Sequence, residues 1–230
     1  MNRAQESSPR IYALLENDSL HYGAVTIGTD NRITIIAHRT LGVSNVIHQG
    51  IVYNQTAVVN ALQEFINTYR ISHQSLWLCV SGLGASETTI WHPHAHAHKT
   101  DLWHVGLSLH AWDIAHLYPA HDNGFILYVG GIRREIILQW QIISMRLSLS
   151  LACVTTPFYA LWNMYKGVFA SAYRSSQLAA DMSLVGLSLE KAVSSDALNR
   201  LFRSGAHYLS AHELLPRALI AGMGIAAHRN

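Results

Sequence analysis

A run of alternating histidines is the pattern in this sequence most capable of chemistry. It reads HPHAHAH, and histidine occupies every second position, at His92, His94, His96 and His98. Alternate residues of a strand share a face, and neutral imidazole is a good ligand for zinc, copper or nickel. No cysteine accompanies the run, and only Glu87 and Asp101 supply nearby carboxylates. Because the chain holds 15 histidines, we favour a histidine-tolerant surface loop and keep a metal site as the alternative.

Other catalytic signatures are weaker still. Cys79 and Cys153 lie in apolar, strand-like runs, which indicates buried free thiols and not a disulfide. The sequence contains no serine nucleophile elbow and no glycine run that could hold a phosphate. The short stretch Gly82-Leu83-Gly84 predicts a tight turn. The residues themselves therefore indicate no reaction.

Composition limits the class of protein. The 230 residues are 50% hydrophobic and 13% charged, which is enough for one large domain or two small ones. The net charge of +2 includes no basic stripe, so we expect no direct nucleic-acid binding. The most apolar window, Ile136–Val154, is interrupted by Gln139, Gln141 and Arg146, and a spanning helix needs about 20 predominantly apolar residues. The polar N-terminus resembles no signal peptide, so we expect a cytoplasmic protein.

The first half of the sequence predicts an antiparallel meander followed by a helix and a buried strand. Three β-prone runs, Arg10–Leu15, Leu20–Gly28 and Arg32–Leu41, are separated by polar turns. Asn54 is placed to cap an amphipathic helix. Leu76–Ser81 then reads as a buried strand that ends at glycine.

The segment Phe125–Leu161 predicts strand, helix, strand and helix, the alternation of an α/β or α+β protein. Its first helix repeats apolar residues at helical spacing, at Ile136, Trp140, Ile143 and Leu147. Further apolar residues widen this face and predict a helix buried on most sides: Leu138, Ile142, Met145 and Leu149.

The order of these elements resembles the PilM group of actin-like proteins, relatives of the cell-division protein FtsA. Four patches carry the resemblance: Ile47–Leu62, Leu76–Gly82, Phe125–Leu161 and His212–Ala227. It implies an actin-like first lobe with an FtsA-type (SHS2-like) inserted subdomain and a reduced second lobe. Residues 10–75 would begin the first lobe, 76–156 would form the insert, and 157–230 would return to the lobe and hold the remnant of the second.

The resemblance also implies where nucleotide would sit. In that family two Asp-x-Gly turns hold the phosphates of ATP, because glycine admits the phosphate and aspartate orients hydrated Mg²⁺. Here Leu14 and Glu16 stand in place of the first pair; Asp181 remains in the second, but Ser183 replaces its glycine. Since a glutamate repels a polyphosphate, we expect neither ATP nor magnesium as a cofactor and no enzymatic activity.

The function implied is that of a structural protein of type IV pilus assembly, a machine that also serves DNA uptake. Such a protein lies at the cytoplasmic face of the inner membrane and binds the tail of a PilN-like single-span protein as a peptide in a groove. Candidate groove residues are Val52, Asn54, Trp77, Cys79 and Ser81. Three alternatives remain open: core packing for Trp77 and Cys79, a residual ATPase or histidine-cluster metal protein, and a homo-oligomeric scaffold outside pilus assembly.

Overall fold

The computed structural model describes residues 9–27, 33–42, 45–72, 75–92, 110–119, 125–157, 160, 220 and 223–224. The strands in these ranges are β1 Arg10–Leu15, β2 Ser19–Ile27, β3 Ile33–Gly42, β4 Ile47–His48, β5 Ile51–Val52, β6 Ser75–Val80, β7 Ala85–His92, β8 His110–Pro119, β9 Phe125–Arg133 and β10 Ser150–Thr155. The helices are α1 Gln55–Tyr69 and α2 Arg134–Arg146, with a 3-10 turn at Gly82–Gly84.

A mixed five-stranded sheet in the order β10-β6-β1-β2-β3 forms the centre of the molecule. The strands β1, β2 and β3 pair antiparallel, which confirms the predicted meander. The strands β6 and β10 run parallel to β1 and to each other. Parallel neighbours require a long crossover, and the segments that carry α1 and α2 provide it.

The helix α1 begins where the sequence predicted. The side chain of Asn54 accepts a hydrogen bond from the Ala57 N–H at 3.0 Å, which satisfies a donor that the first helical turn leaves open. The helix packs Val58, Leu62 and Phe65 against the sheet. It ends at Tyr69, and the C-cap residue Arg70 adopts the left-handed conformation, with a φ of 49°.

The helix α2 corrects one expectation. Its buried residues include Ile136, Trp140 and Ile143, as predicted, but the opposite face is open to solvent. That face carries apolar side chains, with exposed fractions of 59% for Leu138, 44% for Ile142 and 68% for Met145. At 3.6 residues per turn these three positions lie across the helix from the buried ones, so the prediction of burial on most sides was wrong.

Both faces of the central sheet are buried near β1 and β6. Ile11, Leu15 and Leu78 belong to one continuous core with residues of α1 and α2. The alternating residues, among them Tyr12 and Leu14 of β1 and Trp77 and Cys79 of β6, are buried on the other face. Burial on both sides explains why these strands read as uninterrupted hydrophobic runs.

A second, antiparallel sheet in the order β7-β9-β8 lies in the sequence between β6 and α2. The residues 76–156 assigned to an inserted subdomain also contain β6 and β10, which hydrogen bond within the central sheet. The separate sheet itself runs from residue 85 to 133. Whether it forms a subdomain of the FtsA type stays a prediction, and nearly all of 157–230 lies outside the described residues.

Candidate functional site

The β1–β2 turn is the candidate site, because the resemblance places the first phosphate loop there. Leu14 lies within β1 between His21 of β2 and Cys79 of β6, and its side chain is fully buried. The turn closes with a 2.9 Å hydrogen bond from the Glu16 N–H to the Ser19 carbonyl. The leucine therefore contributes to the hydrophobic core and offers no group to a ligand.

Asn17 joins the turn to two distant segments. Its carbonyl oxygen accepts the Gly50 N–H at 2.8 Å, and its side-chain Oδ1 accepts the Leu83 N–H at 2.7 Å. The Leu83 N–H lies in the 3-10 turn that follows β6, where the first amides of a helical turn lack partners within it. The Leu83 N–H, which could otherwise donate to an anion, thus donates to the Asn17 side chain.

The close approach of Asn17 explains Gly82. A Cβ atom at this position would lie 2.2 Å from Asn17 Oδ1, and the φ of Gly82 is +63°. Few residues other than glycine tolerate that conformation. The sequence prediction of a tight turn at 82–84 is confirmed, and its glycine serves contact with the chain's own turn.

The two carboxylates of the turn also contact protein groups. Asp18 Oδ1 lies 2.9 Å from His48 Nδ1 and accepts the Gln49 N–H at 3.4 Å. Glu16 Oε2 lies 3.2 Å from His21 Nε2 and accepts the Ser19 hydroxyl at 3.3 Å. We call Asn17, Asp18, His48, Gly50 and Gly82–Gly84 the turn cluster. Its groups are donors and acceptors to one another, and its Asp18 carboxylate, together with that of neighbouring Glu16, makes the turn unfavourable for a polyphosphate.

His21 connects the turn to β3. Its Nδ1 lies 3.0 Å from the Thr40 hydroxyl, and its ring stacks on His38 with centroids 5.7 Å apart. Among the described residues, no group of three or more histidine, cysteine, aspartate or glutamate side chains is arranged to hold a metal ion. The predicted metal run is not tested by this, because His94, His96 and His98 lie outside the described residues and the side chain of His92 is not described.

The structure separates the predicted groove residues. Val52 is buried in the core that contains α1 and α2, whereas Trp77 packs near Tyr12 on the other face of the sheet, with ring centroids 6.4 Å apart. Cys79 is fully buried, and burial, with smaller effects of Glu87, Glu16 and Cys153, raises the pKa of its thiol well above the ordinary value. A protonated, enclosed thiol is not a nucleophile.

Two groove candidates keep exposed surface. Asn54 is exposed at the start of α1, and Ser81 is half-buried after β6, where its N–H donates to the Leu15 carbonyl at 2.8 Å. The five residues thus do not line one common surface. Asp181 and Ser183 of the second predicted phosphate turn lie outside the described residues.

Sequence reasoning missed Asn17 and its partners. The polar letters ENDS and the later GLG were both visible as turns, but nothing local shows that they touch. The hydrogen bond between Asn17 and Leu83 joins residues 66 positions apart. A second missed feature, the exposed apolar face of α2, had a visible signal, since Leu138, Ile142 and Met145 repeat at helical spacing out of phase with the buried set.

Comparison with known proteins gives matches in structure and none in sequence. No protein-family model matches the chain, and no curated protein matches it in sequence. One structural match is the cytoplasmic domain of EpsL, an inner membrane component of the type II secretion system of Vibrio cholerae. It is 12% identical to this chain and has a TM-score of 0.43, and the match covers 66% of this chain and 57% of the EpsL chain. RuvC of Thermus thermophilus is 8% identical, with 96% of each chain covered and a TM-score of 0.40.

A chain of the PilM-PilN type IV pilus biogenesis complex has a TM-score of 0.53 and 11% identity, with 95% of this chain and 73% of that chain covered. At this identity the similarity is one of fold. This similarity agrees with the coarser expectation of a mixed α/β fold like that of a chain in the PilM-PilN complex, while the inserted subdomain and the reduced second lobe stay predictions.

Proposed function

We propose that this chain is a non-catalytic scaffold of a type IV pilus or related secretion complex, at the cytoplasmic face of the inner membrane. The observation that carries the proposal is the similarity of fold, over 95% of the chain, to a chain of the PilM-PilN complex. Since that complex pairs PilM with PilN, on this proposal the chain binds the cytoplasmic tail of a PilN-like single-span protein. Among the described residues, no helix is long and apolar enough to cross a bilayer.

The chemistry of the turn cluster supports a role without nucleotide. Leu14 is a core residue, and the carboxylates of Glu16 and Asp18 would repel phosphate. The Leu83 N–H already donates to Asn17 at 2.7 Å, so a phosphate would have to displace that oxygen. On this proposal the turn serves only to connect distant segments of the fold, and the protein binds neither ATP nor magnesium.

Tail binding requires residues that a peptide can reach. Val52 is buried on one face of the central sheet and Trp77 and Cys79 on the other, so on this proposal none of the three contacts the tail. Asn54 and Ser81 retain exposed surface on segments that adjoin the β4–β5 hairpin and the Gly82–Gly84 turn. We place the peptide contact near them, where an extended segment can use main-chain hydrogen bonds and a few anchors.

A pull-down from detergent-solubilised inner membrane tests tail binding. The tagged wild-type chain should recover a small single-span membrane protein, and Ser81→Arg should recover much less of it. Ile36→Ser, which changes an exposed residue of β3, is the matched control and should behave as wild type. Recovery of no small membrane protein by the wild-type chain would refute the proposed partner.

Calorimetric titration with ATP and Mg²⁺ tests the absence of nucleotide. We expect no saturable heat at millimolar ATP. Tight, magnesium-dependent binding would contradict the structural role of the turn cluster and would favour a residual actin-like ATPase.

A melting experiment with a chelator tests the histidine alternative. If the run from His92 to His98 is a surface loop, the melting temperature should not change on chelation. A chelator-sensitive melting temperature, restored by added zinc, would favour a metal protein, because a ligand that binds the folded state raises its stability.

A further inference from the structure

The solvent face of α2 carries a narrow apolar stripe that the function proposed above does not use. Leu138, Ile142 and Met145 lie at spacings of four and three residues, and each is substantially exposed. Tyr53, which follows Val52 in the chain, is also exposed, and Gln139 of α2 hydrogen bonds to the Val52 backbone at 3.1 and 3.4 Å. Three of the six large hydrophobic residues found exposed in the described part of the chain therefore lie on this face of α2. A cluster of this kind marks an interaction surface more often than scattered exposed residues do.

The spacing is that of a helix-pairing seam. In a heptad written a to g, Leu138 and Met145 take the d positions and Ile142 takes the a position between them. At 100° per residue the three side chains cover about 60° of the helix circumference. A helix that lies in a lipid surface presents a broader apolar face, of about 100° or more, so the narrow stripe favours a protein helix.

The charges beside the stripe indicate which helix fits. Arg134 and Arg146 are exposed and occupy g and e positions, which form the ion pairs between helices in a coiled coil. The contact found for Arg146 is with the neutral hydroxyl of Thr56, at 3.3 Å, so it does not neutralise the charge. The only carboxylate of α2, Glu135, lies at an a position and pairs with Arg133.

A second copy of this chain is a poor complement. Its own e and g positions on α2 are Arg134, Gln139, Gln141 and Arg146, so it brings no carboxylate to the flanks. A helix with aspartate or glutamate at its e and g positions would pair with both arginines. Complementary charges at these positions select the partner.

We propose that the seam formed by Leu138, Ile142 and Met145, flanked by Arg134 and Arg146, binds an amphipathic helix of another protein with apolar a and d residues and acidic e and g residues. From Arg134 to Arg146 the contact spans just under two heptads, roughly 18 Å of helix. It is separate from the extended tail of the proposed function and does not depend on it.

A synthetic helical peptide tests the proposal with the full chain. The probe carries leucine at a and d and glutamate at e and g, and glutamate also keeps it from pairing with itself. Fluorescence anisotropy should show saturable binding of this peptide and not of a matched peptide with lysine at e and g. Leu138→Ser should weaken binding about tenfold, since a buried leucine contributes on that scale. Ile36→Ser on β3 should leave binding unchanged.

A charge reversal makes the test specific. The double variant Arg134→Glu, Arg146→Glu should lose the glutamate peptide and gain the lysine peptide, while melting curves show that each variant is folded. Four results would overturn the proposal: binding of neither peptide, equal binding of both, binding of anionic phosphatidylglycerol vesicles through Leu138 without peptide binding, or a dimer that Leu138→Ser dissociates in sedimentation.

Discussion

The turn cluster and the solvent face of α2 differ in how their side chains are satisfied. In the turn cluster, polar groups from three distant segments bond to one another, as Asn17 does to Leu83 at 2.7 Å and Asp18 to His48 at 2.9 Å. On α2, Leu138 and Met145 keep more than half of their surface exposed and lie outside the hydrophobic core. The comparison teaches that the turn at the position of the first phosphate loop serves the structure, whereas α2 residues that were expected in the core stay exposed.

Substitutions on the two faces of α2 should give the largest difference in the free energy of unfolding. Ile143 is fully buried, so Ile143→Ala should lower the free energy of unfolding by about 3 kcal/mol through lost burial and a residual cavity. Ile142→Ala, one residue earlier on the exposed side, should change it by less than about 0.5 kcal/mol. Urea unfolding measures both. A comparable loss in the two variants would mean that the exposed face is covered in solution.

Gly82→Ala tests how closely the turn cluster is packed. The new Cβ would force Asn17 Oδ1, 2.2 Å away, from the Leu83 N–H, and alanine would be strained at a φ of +63°. Together these effects should cost about 3 kcal/mol. Gly42→Ala is the matched control, because its Cβ would meet no atom within 4 Å, and it should have little effect. Equal stability of the two variants would show that the cluster is open.

Tyr12 tests whether solvent reaches the sheet face on which Leu14 lies. Burial raises the pKa of Tyr12 from 10.0 to about 12. A raised folded-state pKa stabilises the protein fully below pH 10, and this stability is lost as pH rises through 12 because the unfolded state deprotonates first. The loss should approach about 2 kcal/mol.

Unfolding by urea at a series of pH values checks this, with Tyr12→Phe as the control that lacks the ionisable group. The wild-type curve should fall more steeply than that of the variant between pH 10 and 12. Parallel curves would mean that solvent reaches the Tyr12 hydroxyl.

The two side-chain variants of the turn, Asn17→Ala and Asp18→Asn, should have the smallest effects of the series. Removal of the side-chain oxygen leaves the Leu83 N–H to solvent at a cost of about 1 kcal/mol. Asp18→Asn changes a solvent-exposed pair with His48 and should cost less, because such pairs contribute little. If Asn17→Ala instead created binding of MgATP, Asn17 Oδ1 would be blocking a functional phosphate site. That result would contradict the proposal that the turn has only a structural role.

Local patterns in the sequence determined much of the architecture. The meander, the helix capped by Asn54 and the buried face of α2 with Trp140 follow from periodicity, turn residues and caps, which act over a few neighbouring positions. The fold resemblance rested on the order of these elements. The metal-site alternative at His92–His98 stays a prediction, because His94, His96 and His98 lie outside the described residues.

Tertiary structure alone decided which apolar and polar side chains stay exposed and which are held by other segments. Periodicity indicated apolar residues around most of α2 and predicted burial on most sides, but only packing against the sheet selected the Ile136 side for burial and left Leu138 exposed. The hydrogen bond from Leu83 to Asn17 joins positions 66 residues apart, and no local preference encodes it. The site differs from its prediction because contacts between distant segments are set by the closure of the whole sheet.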